Sequence, residues 1–162
     1  MANDLDALED WAGVLLSKLE PAARSKLARS LAQKLRRSQQ QRVKQQCNPD
    51  GSPYAARKPR DLKGKKGRIK RQAKMFQKLP KASYMKAKGD GQSITVGFTG
   101  RVARIARVHQ YGLKDRAEAN APEVRYKQRE VLGFLKLDLE LIRDEVLSAL
   151  SFKINAQTNA QE

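Results

Sequence analysis

Residues 57–88 constrain the fold more than any other part of the sequence. They carry fourteen basic side chains and one aspartate, a net charge of +13. Between residues 57 and 74, only Leu62 and Ile69 are strongly apolar. So little apolar surface cannot offset the loss of conformational entropy that ordering this segment would require. We therefore expect a basic arm at residues 63–74, with a short helix near residues 68–78, and a core built from the sequence on either side.

The net charge of the whole chain points to an acidic or polyanionic partner. Lysine and arginine number 34 and aspartate and glutamate 17, which gives +17. Residues 1–19 contrast with the rest, because one lysine and four carboxylates give them a net charge of −3. A field this basic repels copies of itself unless something anionic offsets it, although a long charged run can also be a solvated segment.

Two amphipathic helices precede the arm. Leu5, Leu8, Ala12, Leu15 and Leu19 recur at steps of three and four, which predicts a first helix with one apolar stripe. Pro21 is a good first residue for a second helix, expected to run to about Gln45. Its apolar stripe thins after Leu35, so we expect the end of this helix to leave the core and project.

Strand and helix patterns alternate after the arm. Apolar alternation on both sides of Gly89-Asp90-Gly91 predicts a β-hairpin. A short helix follows and should stop at Gly112, residues 113–123 are expected to form a polar loop, and residues 124–126 are expected to form a third strand. A last amphipathic helix is expected between Leu135 and Leu150, with a disordered tail beyond it.

These elements predict the α+β class: an N-terminal helical pair, a basic arm, a small antiparallel sheet with a short helix, and a C-terminal amphipathic helix. We divide the chain into a helical hairpin (1–46), a basic loop and arm (47–81), an α+β body (82–150) and a tail (151–162). Together they are expected to form one structural domain. The body is expected to consist of three helices packed on a small antiparallel sheet.

Little in the sequence supports catalysis, a cofactor or a metal site. The single histidine, His109, excludes any cluster of histidine ligands, and the single cysteine, Cys47, lies in a polar loop. A two-metal nuclease needs several converging carboxylates, and residues 20–88 contain only Glu20, Asp50 and Asp61. We expect a non-enzyme in which His109 has a structural role. No apolar run reaches the roughly 20 residues of a membrane span, and the acidic N-terminus is unlike a secretory signal, so we expect a cytosolic origin.

Several segments, in one order along the chain, resemble the tail completion proteins of contractile-tailed phages of the peduovirus group. They span most of the sequence, from about Leu5 to Leu150. The segments are Ser-Gln-Gln-Gln-Arg at 38–42, Pro-Asp-Gly-Ser-Pro-Tyr at 49–54, Lys-Lys-Gly-Arg-Ile-Lys-Arg at 65–71, Phe-Thr-Gly-Arg-Val at 98–102, Ala-Arg-Val-His-Gln-Tyr-Gly-Leu-Lys-Asp-Arg at 106–116 and Val-Leu-Gly-Phe at 131–134.

The resemblance implies a structural protein of the virion, without a cofactor, that acts late in tail assembly to make the tail competent for head joining. It further implies a homo-oligomeric ring, with six copies expected to match the tail tube, at the head-proximal neck. Its partners would be the tail tube, the tail terminator and the neck or connector proteins, and assembly would occur in the bacterial cytoplasm. Whether such a protein caps the tube or forms the adjacent adaptor is left open.

Two groups of residues are candidates for this role. The motif His109-Gln110-Tyr111-Gly112 is expected to be structural or to lie at an interface. The basic arm is expected to face either DNA or neighbouring subunits. Its candidate side chains are Lys63, Lys65, Lys66, Arg68, Lys70, Arg71 and Lys74. The alternative function is non-specific nucleic-acid binding, which the charge favours and the absence of a recognition motif disfavours.

Overall fold

A computed structural model describes residues 2–57, 74–116 and 120–158, and in this part of the chain the protein is α+β. Its helices are α1 (Ala2–Leu16), α2 (Pro21–Gln45), α3 (Arg101–Tyr111) and α4 (Lys136–Thr158). Its strands are β1 (Met85–Gly89), β2 (Ile94–Phe98), β3 (Lys114–Asp115) and β4 (Val124–Arg125). The predicted fold class is confirmed, and α2 has the predicted bounds.

The chain forms two compact units. The first takes in the described residues of Met1–Ser38, Lys86–Gly97 and Phe134–Glu162, and the second those of Gln39–Met85 and Phe98–Gly133. Helix α2 contributes its first part to one unit and its last two turns to the other. The four segments predicted from the sequence follow different boundaries, and the single structural domain stays a prediction.

The core of the first unit is built by helices α1, α2 and α4, whose predicted apolar stripes supply it. Each fully buried aliphatic side chain of this kind contributes about 1.5–3 kcal/mol. The buried members are Leu19, Leu27, Leu31 and Val146, and Trp11, Leu15, Leu16, Ile142, Ala149 and Leu150 pack against them. Lys34 and Glu145 add an ion pair between α2 and α4.

The predicted hairpin is present and belongs mainly to the first unit. Strands β1 and β2 pair across a turn in which Asp90 Oδ1 accepts hydrogen bonds from the N–H groups of Gln92 (2.9 Å) and Ser93 (2.8 Å). β1 ends directly against α2, because a Cβ atom on Gly89 would lie 2.2 Å from the carbonyl oxygen of Ala28. Only glycine allows two backbones to come this close.

The second unit has its own core and a second small ladder. The core consists of Val43, Tyr54, Leu79, Val102, Ala106 and Val131. Strands β3 and β4 pair antiparallel, with Lys114 opposite Arg125 and Asp115 opposite Val124. The predicted strand near residue 124 is thus confirmed, and its partner β3 lies in a segment predicted to be a loop.

The end of α2 differs from the prediction. Gln39, Arg42 and Val43 are buried in the second unit, with Val43 fully enclosed. The expectation that this part of α2 leaves the core is therefore wrong. The apolar stripe thins because the helix passes from a purely apolar core to one in which polar side chains bind backbone groups.

Two other segments also differ from expectation. Helix α4 runs to Thr158, through residues expected to be disordered, because no proline or glycine follows Gly133 to stop it. Of the short helix predicted near 68–78, residues 68–73 lie outside the described residues. Residues 75–80 form turns, in which Phe76 adopts a φ of 60°. None of the helices described has the length and apolar character needed to cross a membrane.

Candidate functional site: the base of the basic arm and the His-Gln-Tyr-Gly motif

The motif 109–112 ends helix α3, and Gly112 sets the stop. Gly112 is left-handed, with a φ of 60°, and the N–H of Leu113 returns to the carbonyl of Val108 at 2.9 Å. A Cβ atom at Gly112 would lie 3.3 Å from the carbonyl oxygen of Tyr126. The glycine therefore allows both the turn and the close approach of the segment that follows β4.

His109 is held among aromatic rings and one arginine. Its ring lies edge-on to Phe76, with centroids 4.8 Å apart, and to Tyr126, at 5.0 Å. Its Nδ1 lies 3.1 Å from a guanidinium nitrogen of Arg129. Because a guanidinium only donates, Nδ1 accepts this bond and the proton of the neutral ring lies on Nε2.

The surroundings of His109 disfavour its protonated form. Burial, and then the positive charge of Arg129, lower its pKa from 6.5 to about 4, against a small opposing effect of a hydrogen bond to the backbone of Lys127. The ring is therefore neutral at physiological pH, so its contact with Arg129 needs no carboxylate. This suits a packing and hydrogen-bonding role.

Replacing His109 with glutamine should make the free energy of unfolding depend less on pH below about pH 6.5. Between about pH 6.5 and pH 4 the unfolded wild-type protein binds a proton at His109 that the folded protein does not, so its stability falls as the pH falls. The loss should be on the order of 1–2 kcal/mol, because the ring is only half-buried and solvent screens the effect. Urea unfolding at pH 7 and pH 4.5 measures it. An equal pH dependence in the wild-type and His109→Gln proteins would contradict this account.

Gln110 and Tyr111 point in different directions. The side chain of Gln110 donates to the carbonyl of Leu132 and accepts from its N–H, both at 2.9 Å, much as a neighbouring strand would. Tyr111 faces solvent, with 65% of its surface exposed. The motif thus combines residues that fix the end of α3 with one large side chain that is available to a partner.

Arg129 connects the motif to the start of the basic arm. It is buried, and its guanidinium donates to the carbonyls of Ala55 (2.7 Å) and Ala56 (2.9 Å) as well as contacting His109. Burial, and secondarily the charge of Arg57, lower the pKa of Arg129. Arg129 therefore fixes the backbone just before the residues that lead into the arm.

The far end of the arm is fixed in a similar way. Gln46 pairs with the backbone of Met75, donating to its carbonyl at 3.0 Å and accepting from its N–H at 2.6 Å. Arg57 donates to the carbonyl of Lys74 at 3.2 Å, which ties the two ends to each other. Phe76 then packs on both Tyr54 and His109. We call residues 55–57 and 74–76 the arm base.

Of the seven basic side chains proposed for the arm, one lies within the described residues. Lys63, Lys65, Lys66, Arg68, Lys70 and Arg71 lie outside the described residues. Lys74 is described, and its ammonium group donates to the carbonyl of Lys44 at 3.3 Å. Their role, and that of the motif, stays a prediction.

Sequence reasoning missed Arg42. Its guanidinium fixes the loop 47–54 by donating to backbone carbonyls, as that of Arg129 fixes the arm base. Its buried guanidinium donates to the carbonyls of Cys47 (3.0 Å) and Glu130 (2.7 Å) and to Gln39 Oε1 (2.7 Å). The signal was present in the spacing. Gln39, Arg42 and Gln46 continue the helical period of Leu31 and Leu35, so the apolar stripe becomes a polar stripe.

The described residues offer little for metal binding or for catalysis by a thiol. Among them, no three histidine, cysteine, aspartate or glutamate side chains are grouped so as to hold a metal ion. Cys47 is a free thiol, half-buried, whose Sγ lies 3.5 Å from the carbonyl oxygen of Gln45. The geometry around the motif fixes the arm base and leaves the side chain of Tyr111 exposed.

Comparison with known proteins agrees with this picture. The chain matches the phage virion morphogenesis family over residues 3–151. It is 36% identical over 149 residues to tail completion protein S of Escherichia phage P2, covering 91% of this chain and 98% of that protein. No solved structure matches. The matched span includes the arm base and the motif 109–112 together with residues of both compact units, and the chain belongs to the phage virion morphogenesis family.

Proposed function

We propose that this chain is a structural protein that completes the phage tail and makes it competent to join the head. The observation that carries the proposal is the extent of its similarity to the tail completion protein of phage P2, which covers 98% of that protein. The family match over residues 3–151 likewise includes residues of every element described above rather than one shared motif. The protein would be located in the tail of the virion.

The side chains of the motif support a structural role. His109 is neutral and packs against two aromatic rings, and the side chain of Gln110 is hydrogen-bonded to the backbone of Leu132. We therefore propose a non-enzymatic protein that acts by binding its neighbours, which would be the tail tube, the tail terminator and the connector proteins.

We further propose that several copies form a ring at the head-proximal end of the tail, with six-fold symmetry to match the tube. The arm base supports this, because it anchors both ends of a highly basic segment on a folded unit. A segment anchored at both ends can bind a neighbouring subunit without loosening the unit to which its ends are fixed. Acidic neighbours would offset the repulsion between copies of a +17 chain.

Inactivating the gene in the phage tests the proposal. We expect filled heads and unjoined tails to accumulate, with virion yield falling by orders of magnitude and recovering when the wild-type protein is supplied from a plasmid. Electron microscopy counts the particles. Normal yields of joined particles without the protein would refute the proposal, and a loss of packaged DNA with normal joining would favour the nucleic-acid-binding alternative.

The same assay tests the arm. Supplying a protein in which Lys65, Lys66, Arg68, Lys70 and Arg71 are replaced by glutamine should leave tails unjoined. The control replaces five exposed bases of the first unit, Lys26, Arg29, Lys86, Lys88 and Lys136, and should complement normally. Equal complementation by both variants would show that the arm contributes nothing beyond solvation.

A further inference from the structure

The outer face of helix α1 is acidic and has an apolar end. Asp6, Asp10 and Val14 are four residues apart, so they form one row along the helix surface. All three are exposed, and Val14 leaves 66% of its surface uncovered. Glu9 lies beside this row and is also exposed. Within the described residues, none of these carboxylates forms an ion pair.

The outer face of helix α3 has the opposite charge. Arg104, Arg107 and Tyr111 are three and four residues apart, so they too form one exposed row. Arg104 pairs with Asp115, whereas Arg107 has no ion-pair partner in the part of the chain that is described. Tyrosine and arginine are the residues most often found at the centres of protein interfaces.

An open groove of about 600 Å³ lies beside the α3 row. Arg107, Gln110 and Tyr111 line it together with apolar side chains that include Phe98 and Val131. A groove of this size and composition suits the apolar edge of a helix flanked by an acidic residue.

We propose that the α1 row of one copy of this protein docks on the α3 row of the next copy. Asp10 and Val14 are one helical turn apart, about 6 Å along the axis, and so are Arg107 and Tyr111. Asp10 can therefore pair with Arg107 while Val14 enters the groove beside Tyr111. A second copy fits because residues 1–19 carry a net charge of −3 in a chain whose net charge is +17.

Such a contact is head-to-tail, because it joins two different surfaces of the same protein. Repeated contacts of this kind form a closed ring when the rotation between copies closes and an open filament when it does not. The inference thus rests on the proposed function and deepens it, by assigning the surfaces through which the ring would form. Two helix faces bury less than a standard interface of roughly 1,600 Å², so the single contact should be weak and salt-sensitive.

Charge reversal tests the contact on the purified full-length protein. The wild-type mass measured by sedimentation at low salt should increase with concentration beyond a dimer. Asp10→Lys and Arg107→Glu should each reduce this association at least tenfold. An equimolar mixture of the two variants should recover it, because each new charge then meets its opposite on the other variant. Reversal of the exposed Glu140 and Lys136 on α4 provides matched controls and should change nothing.

Several results would overturn the inference. They are a wild-type protein that stays monomeric, an association that survives both reversals, or a mixture that fails to recover it. If Arg107→Glu blocked tail completion in the phage while leaving self-association intact, the groove would instead bind another tail protein. Complementation by the wild type tests the proposed function separately, so failure of this contact leaves that function standing.

Discussion

Replacing Arg42 with methionine is expected to destabilise the second unit by about 3 kcal/mol. The substitution keeps most of the volume of the side chain but removes the donors that reach the carbonyls of Cys47 and Glu130 and the amide oxygen of Gln39. A buried acceptor that loses its donor costs about 1–3 kcal/mol, and more when the donor was charged. Loss of Arg42 should therefore loosen the loop 47–54 and the irregular segment around residue 130.

Urea unfolding followed by near-ultraviolet circular dichroism measures this effect. All four tyrosines lie in the second unit and the single tryptophan, Trp11, in the first, so the tyrosine signal reports on the unit that contains Arg42. Lys44→Met is the matched control, because Lys44 is exposed in the same turn of α2. If Arg42→Met unfolded at the same urea concentration as the control, the buried guanidinium would not hold these segments together.

Replacing Gly89 with alanine is expected to destabilise the first unit by about 3 kcal/mol. The added Cβ atom would lie 2.2 Å from the carbonyl oxygen of Ala28 and 2.7 Å from the amide nitrogen of Arg29. Both atoms belong to the backbone of α2, so no side chain can turn aside, and the hairpin must separate from the helix. Forced overpacking of this kind costs about 1–3 kcal/mol, and more where the backbone must move.

Gly97 provides the control for this prediction. It lies on β2 in the same unit, and a Cβ atom there would meet no atom within 4 Å. Thermal unfolding followed by the fluorescence of Trp11 should show a lower melting temperature for Gly89→Ala and almost none of this change for Gly97→Ala. Equal melting temperatures for the two variants would mean that β1 does not lie against α2 as described.

The elements that the sequence predicted well are those with local signals. The bounds of α2 follow from Pro21 at its start and from leucine spacing along its first four turns. The hairpin follows from Gly89-Asp90-Gly91, and the stop of α3 from Gly112, whose φ of 60° favours glycine. In each case the determining residues are within a few positions of the feature they determine.

The features that were missed depend on partners distant in sequence. Arg42 is buried because it meets the carbonyl of Glu130, 88 residues away. Arg129 is buried because it meets Ala55 and Ala56, more than 70 residues before it. Arginine in a polar segment is normally exposed. The helical spacing places Arg42 on the buried face of α2, but the carbonyls that Arg42 and Arg129 meet cannot be identified without the fold.

The candidate site was predicted in part. The motif 109–112 was singled out by resemblance, and the structure brings His109 to Arg129 and the arm base. The pairing of Gln46 with Met75 and of Gln110 with Leu132 had no signal in the sequence, because a glutamine that pairs with a backbone is indistinguishable there from one in solvent. These contacts hold the backbone at Met75 and at Leu132 to the second unit.

The most direct test of the proposed function is a joining reaction in which the protein meets tails and heads separately. Tails and filled heads are purified from phage that lack the gene. The purified protein is incubated with one partner, the excess is removed by sedimentation, and the other partner is added. Infectious particles are then counted. We predict that treated tails join untreated heads, whereas treated heads do not join untreated tails. Joining that depends on treating the heads, or that proceeds equally without the protein, would contradict a role in completing the tail.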